Sequence, residues 1–339
     1  MKRNLCLRLP LVFAVVSTCG SLTALGQNDN ATAPVTRQAE VAGNVVVHGD
    51  WGSAPGQFGL RKEQGIFGPR ALAVDRQGHV YVADAVNRRL QRFDDSGQFA
   101  AAYQYPDVGS IRDIGVRRDG VVFVLDTRAV VGFLDANSRS LEWAERGDLQ
   151  STEAYRIRPA ANGRIYIEEK GVEDTRHLVR KYDETLRYLA TLPMRDLCVD
   201  PYGDMPYGIT DDSGSAQSRE IIVTGFNVST MTPETHSTQI ETTQGQDLSR
   251  NPIRLVGVDG QFRIYLFVPG DQERGITPKV LQYSRYMQLQ ASTALSMMLG
   301  TDVDIGDDIQ RIVVDAGGAL YVATANSRDG FSIWKVPAL

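Results

Sequence analysis

Short apolar runs separated by Asp- and Gly-containing corners recur along most of the chain. Residues 69–99 contain three β-rich runs, at 71–74, 79–83 and 89–93. Asp75 and Gly78 fall between the first two runs. Asp supplies side-chain hydrogen bonds to a turn and Gly accepts a positive φ, so the pattern predicts a tight hairpin followed by a third strand.

The same strand–turn–strand pattern occurs in five further units. The positions equivalent to Asp75 are Arg117, Ala160, Asp200, Asp259 and Asp315, at steps of 42, 43, 40, 59 and 56 residues. Each second strand carries an aromatic residue, namely Tyr81, Phe123, Tyr166, Tyr207, Tyr265 and Tyr321. Six units of this size are typical of β-propeller blades, and the regular βαβ alternation of α/β folds is absent. We therefore predict an all-β fold, a six-bladed β-propeller.

The two ends of the repeat region predict how the ring closes. The last unit supplies only three strands, whereas residues 44–51 form an orphan strand ahead of the first unit. We expect this N-terminal strand to complete the last blade, because an incomplete blade exposes an unpaired edge. Residues 43–339 then form a single propeller. Residues 230–251 are polar without a strand period, and we expect them to be an exposed loop.

The first 26 residues have the layout of a secretory signal peptide. A short basic start precedes an apolar run at 11–16, and Ala24 and Gly26 are the small residues before a cut. A transmembrane anchor would need a longer apolar run, and no later segment is apolar enough to cross a membrane. A lipidated Cys19 is the minor alternative. We expect an exported protein of the periplasm, the cell envelope or the extracellular space, with residues 27–42 as a disordered leader.

Net charge and cysteine content exclude some classes of partner and some kinds of site. The 339 residues carry a net charge of −5, which becomes −8 without residues 1–26, and this argues against a nucleic-acid partner. Cys198 is the only cysteine after residue 26, so no internal disulfide is possible there. Its strand-like context predicts a buried apolar residue rather than a nucleophile.

Residues 56–99 resemble the NHL repeat. The matching marks are Gly56-Gln57-Phe58, Pro69, Val74-Asp75, Gly78, Tyr81-Val82-Ala83-Asp84, Asn87-Arg88, Phe93-Asp94 and Gly97. The five later units keep only the strand–turn–strand rhythm. The resemblance implies a six-bladed propeller, and NHL propellers are mostly interaction modules. Related six-bladed propellers include lactonases and lyases, so the fold does not choose the function.

The sequence offers little that would hold a metal or a cofactor, and we expect neither. The four histidines occupy different positions within the repeat, which argues against a zinc lyase site. Four aspartates recur at first-strand ends, and we interpret them as turn residues. The acidic segment 301–308 lacks the spacing of a calcium loop. No Gly-rich phosphate loop and no nucleophile elbow is present.

An arginine stands near the start of the first strand in every unit. The six are Arg70, Arg112, Arg156, Arg195, Arg254 and Arg311. The first strand of a blade is the innermost, so these arginines are predicted to rim one mouth of the central channel. Guanidinium groups there would bind a carboxylate, sulfate or phosphate.

The competing interpretation is ion pairing within each blade. Acidic residues at second-strand ends offer partners to four arginines, and these are Asp84, Asp126, Glu168-Glu169 and Asp211. Arg254 and Arg311 have no such partner in their own units. A paired arginine would be structural.

The sequence thus predicts a non-catalytic binding module with its ligand on the Arg-rimmed channel face. The expected partner is a protein, a peptide or an anionic glycan. The alternative is a metal-dependent lactonase or lyase of the six-bladed propeller type.

Overall fold

In the computed structural model, the described strands lie between Arg37 and Val336. The described residues are 37–38, 42–61, 68–69, 71–105, 110–128, 131–134, 142–143, 154–170, 177–202, 205–215, 218–227, 232–241, 252–271, 274–299, 312–326 and 330–339. The signal peptide assigned to residues 1–26 and the acidic segment 301–308 lie outside them.

The chain folds into six sheets arranged as the blades of a propeller, as predicted, and consecutive strands within each blade pair antiparallel. Ahead of the first blade lie β1 (Arg37–Gln38) and β2 (Asn44–Gly49). Blade one contains β3 (Leu72–Val74), β4 (Val80–Asp84), β5 (Arg89–Phe93) and β6 (Phe99–Gln104). Blade two contains β7 (Ile111–Val116), β8 (Val122–Asp126), β9 (Val131–Leu134) and β10 (Glu142–Trp143). Blade three contains β11 (Ala154–Pro159), β12 (Ile165–Lys170), β13 (His177–Tyr182) and β14 (Tyr188–Leu192).

The other three blades follow the same order, with the first strand innermost. Blade four contains β15 (Arg195–Val199), β16 (Pro206–Gly214), β17 (Ser218–Phe226) and β18 (Pro233–Glu241). Blade five contains β19 (Arg254–Val258), β20 (Ile264–Val268), β21 (Lys279–Tyr283) and β22 (Leu289–Ala294), followed by the short helix α1 (Leu295–Leu299). Blade six contains β23 (Ile312–Val314), β24 (Leu320–Asn326) and β25 (Gly330–Val336). Among the described residues, no helix has the length and apolarity needed to cross a membrane.

The core lies between neighbouring blades. One apolar cluster joins Tyr81 of blade one to Ile114 of blade two, and another joins Phe123 of blade two to Ile157 of blade three. The aromatic residues predicted for the second strands are all buried. A blade therefore buries both faces only against its neighbours, and stability depends on the closed ring.

The N-terminal strand closes the ring as the sequence predicted. Strand β2 pairs antiparallel with β25, from Asn44 opposite Lys335 to Gly49 opposite Phe331. The rings of Phe58 and Phe331 pack across this seam with centroids 4.6 Å apart. The sixth blade thus combines strands from both ends of the propeller.

Two expectations from the sequence were wrong in part. Within the segment interpreted as a disordered leader, β1 pairs in parallel with β22, Arg37 lying opposite Ala291. Within the expected loop 230–251, β18 pairs with β17 along its whole length. Strand β18 is the outer strand of blade four and is mostly exposed or half-buried. Its residues are therefore polar on both faces, and the sequence lacks the alternation of apolar and polar residues that predicts a strand.

The aspartates at first-strand ends make turns, as interpreted. Asp75 Oδ1 accepts the backbone N–H groups of Gln77 and His79, both at 2.9 Å. Asp259 and Asp315 accept the equivalent pairs of N–H groups in their own turns. These carboxylates are therefore engaged by the backbone rather than free to converge on a ligand.

Candidate functional site

The two mouths of the central channel differ, and we name them by the direction of the innermost strands. These strands are β3, β7, β11, β15, β19 and β23, and each lies against the innermost strands of the adjacent blades. The start face is the mouth where they begin, near Arg112, Arg195 and Arg254. The end face is the opposite mouth, formed by the turns that follow them.

Four of the six predicted arginines can be placed on the start face. Arg112, Arg156, Arg195 and Arg254 each lie within the first three residues of their innermost strand. Arg70 and Arg311 lie outside the described residues.

Each of these four arginines contacts a neighbouring blade. Arg112 Nη1 donates to the carbonyl of Ala154 at 2.6 Å, and Arg195 Nη1 donates to that of Ile253 at 3.0 Å. Arg254 Nη1 donates to Asp196 Oδ1 of blade four at 3.1 Å. The guanidinium groups thus link adjacent blades at the channel mouth.

Arg156 is the most deeply placed of the four, with 2% of its side chain exposed. Its Nη1 lies 3.6 Å from Glu168 Oε2 and 3.4 Å from the carbonyl of Leu197 in blade four. This arginine is part of the structure and is not accessible to a ligand.

The pairing within blades predicted from the sequence is confirmed for Arg156 and Glu168, whereas other predicted carboxylates pair differently. Asp84 pairs with Arg89 at 2.9 Å and Asp126 pairs with Arg128 at 3.0 Å. Arg254 was expected to lack a partner in its own blade, and it pairs with Asp196 of the preceding blade. The reason is geometric, because the start of an innermost strand lies beside the adjacent blade. Residue spacing within one unit cannot predict contacts with another blade.

Arg195 and Arg254 share one carboxylate. Asp196 is fully buried and contacts both guanidinium groups. Its backbone has a φ of +56°, in the left-handed region, where the pairing of β15 with β16 shifts register. Asp tolerates this region better than most residues, and such a conformation is retained where surrounding contacts fix it.

A second buried carboxylate, Glu168, fastens blade three to blade four. Its two oxygens accept the backbone N–H groups of Asp196 at 2.7 Å and Leu197 at 3.0 Å. Asp113 makes the same kind of contact between blades two and three, accepting the N–H of Ile157 at 2.8 Å and Arg158 Nη1 at 2.6 Å. The role of these carboxylates was missed, because only the register between blades reveals it.

Tyr155 and His177 extend this cluster towards solvent. The Tyr155 hydroxyl donates a hydrogen bond to Glu168 Oε1. The same hydroxyl contacts His177 Nδ1, and because its proton is already used, we assign His177 Nδ1–H as the donor to the hydroxyl oxygen. His177 keeps 28% of its side chain exposed. Burial lowers the pKa of His177 below its ordinary value, although Glu168 acts in the opposite direction. The sequence gave no sign of this contact, because the residues that make it are 13 and 22 positions apart.

Two arginines of the start face keep guanidinium N–H groups that have no acceptor among the described residues. Among the described residues, Arg112 has one acceptor, a backbone carbonyl, and no carboxylate. Arg254 has a share of Asp196 and keeps 24% of its side chain exposed. Arg112 belongs to blade two and Arg254 to blade five, so they stand on opposite sides of a six-bladed ring. An anion at this mouth could accept hydrogen bonds from both sides.

The described residues do not form a metal site. No group of three His, Cys, Asp or Glu side chains among them is suitably placed to hold an ion. The buried carboxylates Asp113, Glu168 and Asp196 are occupied by guanidinium and backbone N–H groups. The chemistry of this donor set therefore does not fit a metal.

The central channel contains a cavity of about 170 Å³ that lies away from the arginine rim. It is lined by innermost-strand residues from all six blades, including Val74, Val116, Pro159, Val199, Val258 and Val314. Its charged lining residues are Asp75, Arg76, Arg117, Arg118, Arg158, Asp200 and Asp315. Arg112, Arg156, Arg195 and Arg254 do not line it, and most of the charges on its described lining belong to the end face.

Comparison with known proteins agrees with the fold. The NHL repeat family matches residues 68–93, in blade one. Together with the six-bladed ring, this match fits an NHL-repeat propeller. No curated protein matches the sequence.

Solved propellers resemble the structure over most of the chain. A gluconolactonase from Xanthomonas campestris has a TM-score of 0.51 at 13% identity, covering 79% of this chain and 85% of its own. A calcium-binding protein, regucalcin, from Agrobacterium tumefaciens has a TM-score of 0.51 at 13% identity, covering 88% of this chain and 96% of its own. At this identity the likeness concerns the fold alone.

Proposed function

We propose that this six-bladed propeller, with an NHL repeat in its first blade, is an exported, non-catalytic binding module that holds an anionic ligand on its start face. The observation that carries the proposal is the position of Arg112 and Arg254. They come from opposite blades, and both have guanidinium N–H groups without an acceptor among the described residues. Charge-assisted hydrogen bonds from such groups favour carboxylate, sulfate or phosphate oxygens.

Arg195 supports the same site as a neighbour of Arg254. It is tied to Asp196, to Asp212 Oδ2 at 2.7 Å and to the carbonyl of Ile253. These bonds hold its guanidinium in place, so the face is fixed before a ligand arrives. A fixed donor set loses less entropy on binding. Arg70 and Arg311, if they lie on the same rim, would add to the positive potential.

Size and charge suggest the class of ligand. The start face extends across several blades, and the free donors are on opposite sides of the mouth. A carboxylated or sulfated glycan, or an acidic loop of a partner protein, reaches both sides at once. A small anion would engage only one arginine.

The rival function, a metal-dependent lactonase or lyase, needs side chains that converge on an ion. The buried carboxylates Asp113, Glu168 and Asp196 are instead paired, and the fold likeness to a lactonase does not transfer its chemistry. A metal enzyme should melt at a higher temperature with calcium or zinc and at a lower one with chelator. We expect the melting temperature of this protein to be unchanged by either.

The test is a binding screen with heparin, polygalacturonate and poly-L-glutamate at two salt concentrations. The Arg112→Ala/Arg254→Ala double variant should weaken binding of the best probe by about tenfold or more, and higher salt should weaken wild-type binding. Arg118→Ala, an exposed arginine of the end face, is the matched control. Equal affinities of the double variant and wild type would refute the proposal.

A further inference from the structure

The end face carries a line of alternating guanidinium and aromatic groups that the proposed function does not use. We call Arg76, Tyr202, Phe262, Arg285 and Tyr286 the Arg–aromatic row. Arg76 belongs to a turn of blade one, Tyr202 to a turn of blade four, and the other three to turns of blade five.

Successive members of the row are in contact. The guanidinium of Arg76 lies over the ring of Tyr202, 5.6 Å from its centroid, and the rings of Tyr202 and Phe262 are 6.2 Å apart. Arg285 lies over Phe262 at 5.8 Å and over Tyr286 at 5.3 Å. The row is therefore one continuous surface.

The row is open to solvent and reaches across the channel mouth. Tyr202 is 43% exposed, Tyr286 is 63% exposed, and the Arg285 side chain is 47% exposed. Arg76 Nη2 donates to the carbonyl of Pro201 at 3.1 Å, from blade one to the opposite blade four. Exposed tyrosine and arginine are the residue types that contribute most to binding at protein interfaces.

Phe262 is held in a conformation that its residue type disfavours. Its φ is +58°, whereas the corresponding turns of blades one, two, three and six use glycines, Gly78, Gly120, Gly163 and Gly318. A bulky residue with positive φ is an outlier. The chain therefore keeps an aromatic ring in the middle of the row where a glycine would fit the turn better.

The unsatisfied groups of the row are guanidinium N–H groups, which only donate, and tyrosine hydroxyls, which donate and accept. Among the described residues, Arg76 has one acceptor, a backbone carbonyl, and the hydroxyls of Tyr202 and Tyr286 have none. Arg285 pairs with Glu234 at 2.8 Å, and His236 also approaches this carboxylate, at 3.2 Å. A partner must therefore bring acceptors.

The cation–π contacts argue against sugars or nucleobases as the occupant. Both need open ring faces for stacking. Guanidinium groups already cover one face of the Tyr202 and Tyr286 rings, so neither ring can be stacked on both faces, whereas ring edges, hydroxyls and guanidinium edges stay available. An extended acidic peptide matches these groups with its carbonyl and carboxylate oxygens.

We propose that the Arg–aromatic row binds an extended, acidic peptide segment of a partner protein. Neighbouring members of the row are 5.3 to 6.2 Å apart. An extended chain advances by about 3.3–3.6 Å per residue, so the row accommodates a segment of about six residues. Its carboxylates pair with Arg76 and Arg285, and its apolar side chains pack beside Phe262.

The test uses labelled hexapeptides and fluorescence anisotropy. The probes are acetyl-(Glu-Tyr)₃-amide and the uncharged acetyl-(Gln-Tyr)₃-amide. We expect wild type to prefer the Glu peptide, and the double variant Arg76→Gln/Arg285→Gln to weaken its binding by about tenfold or more. Phe262→Gly suits the positive φ of the turn but removes a ring that also packs against the core, so it should weaken peptide binding with some loss of stability in a folded protein. Circular dichroism melts verify folding.

Two controls separate this surface from other sites. Arg118→Gln removes an exposed end-face arginine outside the row and should leave peptide binding unchanged. Arg112→Ala/Arg254→Ala, the start-face variant, should also leave it unchanged, so the two proposals can fail separately. Equal binding of the two peptides, no binding of the Glu peptide at millimolar concentration, or an equal loss in Arg118→Gln would overturn the proposal. Analytical sedimentation tests for self-association. If wild type is a dimer that Arg285→Gln disrupts, and neither protein binds the peptides, the row is instead the contact surface for a second copy of the chain.

Discussion

Glu168 of blade three accepts a hydrogen bond from the backbone N–H of Asp196 in blade four at 2.7 Å, with no part of either residue exposed to solvent. Asp113 makes the equivalent contact to Ile157 one blade earlier. Buried acidic side chains thus join neighbouring blades at the start face, in addition to the apolar packing between them.

Replacing Glu168 with Gln should destabilise the ring strongly. Arg156 would remain buried without its counter-charge, and one of the two backbone N–H groups would face an amide nitrogen. Breaking a buried ion pair costs about 3–5 kcal/mol. Urea denaturation measures the change in the free energy of unfolding. Asp119→Asn, which removes an exposed pair with Arg117 on the end face, is the control and should cost less than about 1 kcal/mol. Similar losses in both variants would show that Glu168 does not fasten the blades.

Two N-terminal truncations should differ in their effect. Among the contacts of the described residues, a chain starting at residue 42 loses the two-residue pairing of β1 with β22, and it should melt near the wild-type temperature. A chain starting at residue 52 also loses β2, which leaves β25 as an unpaired edge and exposes Phe331. Differential scanning calorimetry should show a large drop for the second truncation alone. Matching melting temperatures would contradict closure by the terminal strand.

The fold could be predicted because each blade repeats its own local signals. Asp75 and Gly78 indicate a turn, and Tyr81 indicates a buried second strand. Both predictions need only residues that are close in sequence. Strand β18 was missed because an outer strand in contact with water does not alternate apolar with polar residues. Strand β1 was missed because a two-residue parallel pairing leaves no pattern.

The site was less predictable, since it depends on contacts between units. The sequence correctly placed Arg112, Arg195 and Arg254 at strand starts. It could not show that Asp196, immediately after Arg195, would serve Arg254 one unit later in the chain. The link from His177 through Tyr155 to Glu168 likewise depends on strand register and on the short reach of a hydroxyl.

His177 should make stability depend on pH. Its pKa is lowered in the folded protein by burial, so the unfolded chain binds the proton first as pH falls below about 6.5. The free energy of unfolding should therefore fall as pH drops through this range and towards the lower native pKa. His177→Gln should flatten that part of the profile in urea titrations at a series of pH values. His48→Gln, on the closing strand, is the matched substitution, and a slope unchanged in His177→Gln would contradict the prediction.

Cys198 should be unreactive in the native protein. Burial raises the pKa of its thiol to about 11, so the reactive thiolate is scarce at neutral pH. Mass spectrometry after iodoacetamide treatment, on a chain without residues 1–26, should show slow modification in buffer and fast modification in urea. Comparable rates in the two conditions would mean that the thiol is accessible, and the interpretation as a core residue would fail.

The pairing of Asn44 with Lys335 has a consequence for how the molecule is made. Strand β2 leaves the ribosome before every blade, yet its partner β25 is synthesised after all of them. Pairings between residues so distant in sequence form slowly, because a long loop must close first. The ring can therefore be completed only after synthesis of the last blade, and until then β2 and the open sixth blade offer unpaired edges to other chains. Until β25 has been synthesised, a nascent chain therefore needs another molecule, such as a chaperone, to cover those strand edges.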